Sequence, residues 1–123
     1  MAEEIRIKGS YSNIADIPLD DADNLWVLYR AWYPMQEAKF SSPGVQVVLM
    51  ELKDIYYSSN LSSKHRDVVL WHLIEEKTQQ ETAEEMKISP RSIKKLVDQA
   101  LEQMVAYAAT KAESRVYSLP LAG

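Results

Sequence analysis

From Ile93 to Ala112 the chain runs twenty residues without a glycine or a proline, and its apolar positions recur at helical spacing. A stretch of that length is too long for an ordinary strand, so it fixes a long helix. Upstream, every periodic segment has the same period. Leu25, Leu28, Tyr29 and Trp32 form one stripe. Val45, Val48, Leu49, Leu52 and Ile55 form another, and Val69, Leu70, Leu73 and Ile74 a third. The expected fold is all-α with about five helices: a C-terminal helix-turn-helix whose long last helix packs on an N-terminal helical pair.

Local signals set the boundaries. Pro18 and the carboxylates Asp20, Asp21 and Asp23 mark a helix start, because unpaired N–H groups and the dipole make the first turn positive. Pro34 should end or kink that helix. Ser42-Pro43 is an N-cap followed by proline at the first helical position, opening a second helix that runs to about Tyr57. Ser58-Ser59-Asn60 reads as a loop. Ser62 or Ser63 caps a third helix. Thr78 caps a fourth, with Glu81 three residues on as the partner in a capping box, and that helix ends near Met86. Ser89-Pro90 opens the fifth, expected to reach about Ala112. Ile5–Ile7 reads at most as a short strand. The tail 113–123 reads as loose. Three segments follow: 1–60, an aromatic-rich helical support or dimerisation element; 61–112, a helix-turn-helix domain; and the tail.

Composition narrows the function. There are no cysteines, which removes disulfides and thiolate metal sites and fits a reducing cytosol. Met1-Ala2-Glu3-Glu4 is acidic with no apolar run behind it, so no signal peptide is legible and a cytoplasmic location is expected. The formal charge is −4. Residues 1–60 hold five Lys/Arg against nine Asp/Glu, whereas residues 61–111 hold eight of each. The acidity therefore sits in the N-terminal half, and the C-terminal half is neutral where a strong DNA binder usually shows a basic face.

Thr78 to Asp98 is the informative stretch. A helix-turn-helix needs a small residue where its two helices cross and apolar residues on both sides of the turn to lock a steep angle. Ala83 is the small residue, Met86 follows one turn later, Ile88 plugs the crossing, and Ile93 and Leu96 face inward with Val97. Two positions depart from the pattern. The residue before Ala83, usually apolar, is Thr82. The usual turn glycine is Lys87, which must take a left-handed backbone at some cost or use another turn.

With Leu61-Ser-Ser-Lys-His-Arg-Asp-Val-Val-Leu, then Glu75-Glu-Lys-Thr-Gln-Gln-Glu-Thr-Ala-Glu-Glu-Met, then Ile88-Ser-Pro-Arg-Ser-Ile-Lys-Lys-Leu, residues 61–105 resemble region 4 of sigma-70-type transcription factors. Response-regulator output domains share much of the pattern. Small phage late-gene regulators of the autolysin-regulatory type are similar in size and in their C-terminal half. Residues 1–60 do not resemble the promoter-melting region 2. The resemblance thus implies a stand-alone DNA-binding transcriptional regulator, phage or prophage derived, with duplex DNA as partner.

The helix from Pro90 onward would enter the major groove. Arg91 would take a guanine or a phosphate. Ser92, Lys94, Lys95, Asp98 and Gln99 would lie outside beside it, the N–H groups near Ser89 would meet a phosphate, and Lys77 and Thr78 would brace the backbone. The alternative is an interaction module that mimics region 4 and binds RNA polymerase or another regulator without reading DNA. A homodimer would double a weak DNA contact.

Blander roles stand beside these. Arg91, Lys94 and Lys95 also suit a solvated helix face. His65 and His72, seven apart without ligand-spaced carboxylates, read as surface or core-edge side chains rather than a metal site. Trp26, Tyr29, Trp32, Tyr33 and Trp71 read mainly as core, with a protein-binding patch as the competing role for the first four. No catalytic motif and no cofactor motif is present, so neither an enzyme nor a cofactor is expected.

Overall fold

The computed structural model describes residues 13–38 and 42–118, with side chains up to residue 112. The expected strand at Ile5–Ile7 lies outside these residues. A 3-10 turn, Ile14–Asp16, is followed by six α-helices: α1 (Ala22–Arg30), α2 (Trp32–Ala38), α3 (Pro43–Ser58), α4 (Ser63–Val68, continued by a π-helical turn, Val69–Ile74), α5 (Gln79–Met86) and α6 (Pro90–Ser118). The described residues contain no strand, and the expected all-α architecture is the one observed.

The caps sit where the sequence places them. Asp21 is the N-cap of α1, its Oδ1 accepting from the Asn24 N–H at 3.0 Å. The buried Asn24 side chain then donates to the Pro18 carbonyl at 2.9 Å, tying down the approach to the helix. Pro34 acts one turn early. It has no N–H for the Arg30 carbonyl, so the helix breaks at Ala31 and restarts, with the proline in the first turn of α2. This split turns the first expected helix into α1 and α2. Ser42 opens α3 with extended backbone and no side-chain cap bond. Close behind it, a Cβ at Gly44 would run into Asn13 Oδ1, so glycine lets the 3-10 turn sit on α3.

All five apolar residues expected inside on α3 are buried. In the third helix Val69, Leu73 and Ile74 are buried and Leu70 half-buried. Val68 is also buried, so two apolar pairs, Val68-Val69 and Leu73-Ile74, must face inward five residues apart. An α-turn would point the second pair aside. The wider π turn, with Glu75 N–H bonded to the Leu70 carbonyl at 2.8 Å, brings both onto the core side.

The last helix organises the rest. α6 packs against α5, α4, α1 and α3, and runs to Ser118, past the expected end at Ala112. One cluster of buried side chains spans Ile17 to Ala108, so the N-terminal helices and the C-terminal half share a single core. Within it Tyr29 is fully buried, and its hydroxyl donates to the Leu52 carbonyl at 2.7 Å, joining α1 to α3. The other aromatics of the first stripe are more open: Trp26 and Trp32 are half-buried, as is Trp71, and Tyr33 is exposed.

Burial pushes the Tyr29 hydroxyl far above the ordinary value of 10.0, with Tyr56 and Asp54 adding to the shift. A group whose folded value is raised contributes stability that is fully present below the unfolded value. That stability is lost as pH climbs above it, because the unfolded chain then releases the proton that the folded chain keeps. Denaturant titrations above about pH 10 should therefore show falling stability. Tyr29→Phe should cost about 1 kcal/mol at neutral pH and flatten the alkaline decline. An equally steep decline in the variant would remove Tyr29 as its source.

Candidate nucleic-acid interface

α5 packs against α6 with Ala83 buried, and the geometry there is built from local backbone chemistry. Thr78 opens α5 with the full capping box: Glu81 N–H donates to Thr78 Oγ1 at 3.0 Å, and Thr78 N–H donates to Glu81 Oε1 at 2.9 Å. These bonds to the charged form hold the exposed Glu81 carboxyl below its usual range.

At the other end Lys87 takes the left-handed conformation, φ 59° and ψ 44°. Its N–H meets the Glu84 carbonyl at 3.3 Å, and the Ile88 N–H meets the Ala83 carbonyl at 3.0 Å. That pair of bonds is a Schellman turn. Lysine therefore does what glycine usually does there, at the cost of a left-handed side chain.

Ala83 and Ile93 are buried, and Met86, Ile88 and Leu96 are half-buried against the same cluster. Leu96 sits on the shoulder. Val97, Ala100 and Leu101 complete the inner face of α6. Thr82, the departure before Ala83, is fully buried, and its Oγ1 has no hydrogen-bond partner. The position thus keeps the apolar environment of the pattern with a hydroxyl placed in it.

Sequence reasoning missed one brace. Gln79 Nε2 donates to the Pro90 carbonyl at 2.6 Å, linking the first turn of α5 to the first turn of α6. An exposed glutamine at a helix start gives no sign of this in sequence, because its partner lies across the turn.

The predicted contact residues fall into two groups. On the outer side of α6, Arg91, Lys94, Lys95, Asp98 and Gln99 are exposed, and Ser92 is half-buried with its hydroxyl 2.9 Å from that of Ser89. Lys94 Nζ lies 3.1 Å from Asp98 Oδ2, with both side chains well exposed. Such a pair contributes about 0.3–0.5 kcal/mol, so a phosphate could displace it at little cost. Arg91 and Lys95 remain as the other cations of that face. Gln99 Oε1 accepts from His65 Nε2 at 3.0 Å, and His65 Nδ1 sits 2.6 Å from Ser62 Oγ, which ties the start of α4 to the side of α6.

The second group lies before α5. Thr78 is exposed. Lys77 is half-buried with its ammonium 5.6 Å from the Trp71 ring centre. The Lys77 carbonyl accepts from His72 Nδ1 at 2.7 Å, which fixes the proton on that nitrogen. Both histidines therefore serve as structural ties. Among the described residues no cluster of three or more metal-ligating side chains occurs. No described helix is long and apolar enough to cross a membrane.

Residues 58–104 match the family model described as sigma-70, region 4. The matched span holds α4 with its π turn, α5 and the first half of α6. It coincides closely with the stretch 61–105 that carries the resemblance in the sequence. Neither the curated proteins nor the solved structures contain a match to the chain.

The two departures from the motif are each testable in thermal or denaturant unfolding. Lys87→Gly should stabilise by roughly 1 kcal/mol by relieving the left-handed backbone, and Thr82→Val by about 1 kcal/mol by removing a buried unpaired hydroxyl. Destabilisation by the glycine would mean that the turn is not left-handed in solution.

Proposed function

We propose that this chain, whose residues 58–104 form a sigma-70 region 4 domain of helix-turn-helix type, is a DNA-binding transcriptional regulator that reads the major groove with α6 from Pro90 onward. The observation that carries the reading is the exposed row Arg91, Lys94, Lys95 and Asp98 at the start of a helix whose other side is locked to α5. A helix-turn-helix presents this part of its second helix to base edges.

Arg91 is suited to a guanine or a phosphate and Lys95 to a phosphate. Ser89 and Ser92 stand at the helix start, where backbone N–H groups favour a phosphate oxygen. Lys94 reaches DNA when it exchanges Asp98 for a phosphate, and Asp98 can then accept from a cytosine amino group. Thr78 and Lys77 brace the flanking backbone from the start of α5. The family is a regulatory DNA-binding one, and the role assigned here is non-catalytic. The match of residues 58–104 to region 4 supports a transcription-related role, and the regulator we propose is of phage or prophage origin and acts in the bacterial cytoplasm.

A second reading has an observation of its own. Exposed Glu84 and Glu85 on α5, and the neutralised Lys94, leave the motif with little net positive charge. Such a surface suits a module that binds RNA polymerase or another regulator through protein contacts.

Salt dependence of duplex-DNA binding separates the two. The regulator should lose affinity steeply as salt rises. Lys94→Glu with Lys95→Glu should abolish binding while leaving the circular dichroism spectrum unchanged. Asp98→Ala, by freeing Lys94, should tighten non-specific low-salt binding roughly three- to tenfold and steepen the salt slope by about one. Absence of binding at low salt by the native chain would favour the protein-interaction module.

A further inference from the structure

α2 and α3 each carry a pair of adjacent aromatics, Trp32-Tyr33 and Tyr56-Tyr57. Neighbours on a helix point about 100° apart, so one member of each pair can turn toward the core while the other turns out. Trp32 and Tyr56 are half-buried, whereas Tyr33 and Tyr57 are 47% and 64% exposed. Because α2 packs on α3, the four rings gather at one place and line a groove of about 250 Å³. The buried Tyr29 and Leu52 lie beneath them, and Leu70 and Ile74 come from the π turn. The groove therefore sits where the N-terminal helices meet the region 4 span, to which Leu70 and Ile74 belong.

Chemically the groove offers ring surface and one charge. Three of its tyrosine hydroxyls are already engaged. Tyr29 O–H donates to the Leu52 carbonyl at 2.7 Å, Tyr56 O–H to the Arg66 carbonyl at 3.1 Å, and Tyr33 O–H to the Glu75 carboxylate, which is outside the lining. The Tyr57 ring stands 5.0 Å from that of Tyr56 at 82°, so the two rings form a corner. Lys53 is the charged residue of the lining. It is exposed, its ammonium lies 6.0 Å from the Trp32 ring centre, and among the described residues no carboxylate pairs with it.

These features select a ligand class. A ligand cation, which bare rings would attract, meets the like charge of Lys53. A neutral apolar ligand leaves the ammonium unused. A flat ring bearing a negative group uses both parts of the site. We propose that the groove binds a small planar aromatic anion, its ring against Trp32, Tyr56 and Tyr57 and its negative group at Lys53.

The size agrees. Pockets for drug-sized molecules run from roughly 300 to 1,000 Å³, and a groove just below that range suits one fused bicyclic ring. Its lining comes from α1, α2, α3 and the π turn after α4, so the site exists only in the folded chain and a ligand there stabilises the fold. It shares no residue with the row Arg91, Lys94, Lys95 and Asp98, and it stands whether or not α6 reads DNA.

Calorimetric titration of the full chain with naphthoate, naphthamide and naphthylmethylammonium keeps the ring and varies the charge. Naphthoate should bind, shift the amide resonances of the groove residues and raise the unfolding temperature. At low salt it should bind about two- to fivefold tighter than naphthamide, the scale of one exposed ion pair, and the ammonium probe should bind most weakly. Lys53→Met keeps an apolar stem and should erase the advantage of naphthoate over naphthamide. Tyr57→Ala should weaken both about two- to tenfold by removing a ring contact. Both positions are exposed, so helicity should be unchanged in each variant. Absence of naphthoate binding, equal binding of the three probes, an advantage that survives Lys53→Met, or resonance shifts confined to residues away from the groove would each overturn the proposal. None of these outcomes bears on DNA binding, which the salt titration tests separately.

Discussion

The packing of α5, with its buried Ala83, against α6 is the contact on which the rest of the structure depends. A larger side chain there would hold the helices apart and rotate α5 away from its crossing. The capping box at Thr78 and the Schellman turn at Lys87 cut α5 to the length the crossing needs, and the Gln79–Pro90 bond pins the two helix starts together. With α5 fixed, the inner side of α6 is committed to Ile93 and Val97, and Arg91, Lys94 and Lys95 have no course but outward.

α6 also belongs to a second packing problem. Beyond the motif, Ala100, Leu101, Met104 and Ala108 continue its buried side into contact with α1, α3 and α4. Gln103 reinforces this by donating to the carbonyls of Ser59 and Asn60 at 2.8 and 2.7 Å, which holds the α3–α4 loop where Asn60 has a positive φ. The N-terminal helices are therefore fastened to the same rod that carries the outward row. Any force borne by α3 reaches the start of α6 through a rigid element.

Much of this was legible because capping chemistry is local. Asp21, Ser62 and Thr78 cap the helices their side chains announce, and the α3 stripe is buried at every expected position. Thr82 and Lys87 were visible as departures, and both turned out to occupy the environment the pattern demands. What was not legible depends on partners distant in sequence or across a turn. The π turn at Val69–Ile74 exists because two apolar pairs must both reach the shared core, a condition set by α1 and α6. Gln79 shows nothing in sequence of its bond to Pro90. Lys94 and Asp98 stand four apart, so their pairing was open to reading, yet as candidate contacts they looked independent. The pairing makes them one neutral unit.

That neutral unit bears on the low charge of the reading half. Non-specific affinity for DNA grows with the number of phosphates neutralised, and genomic DNA offers a vast excess of wrong sites. On the proposed reading, a motif that meets DNA with Arg91 and Lys95, and keeps Lys94 paired until Asp98 accepts from a cytosine amino group, would bind wrong sequences weakly. On that reading the near neutrality of the motif serves discrimination: the Lys94–Asp98 pair withholds one cation from phosphates of the wrong sequence.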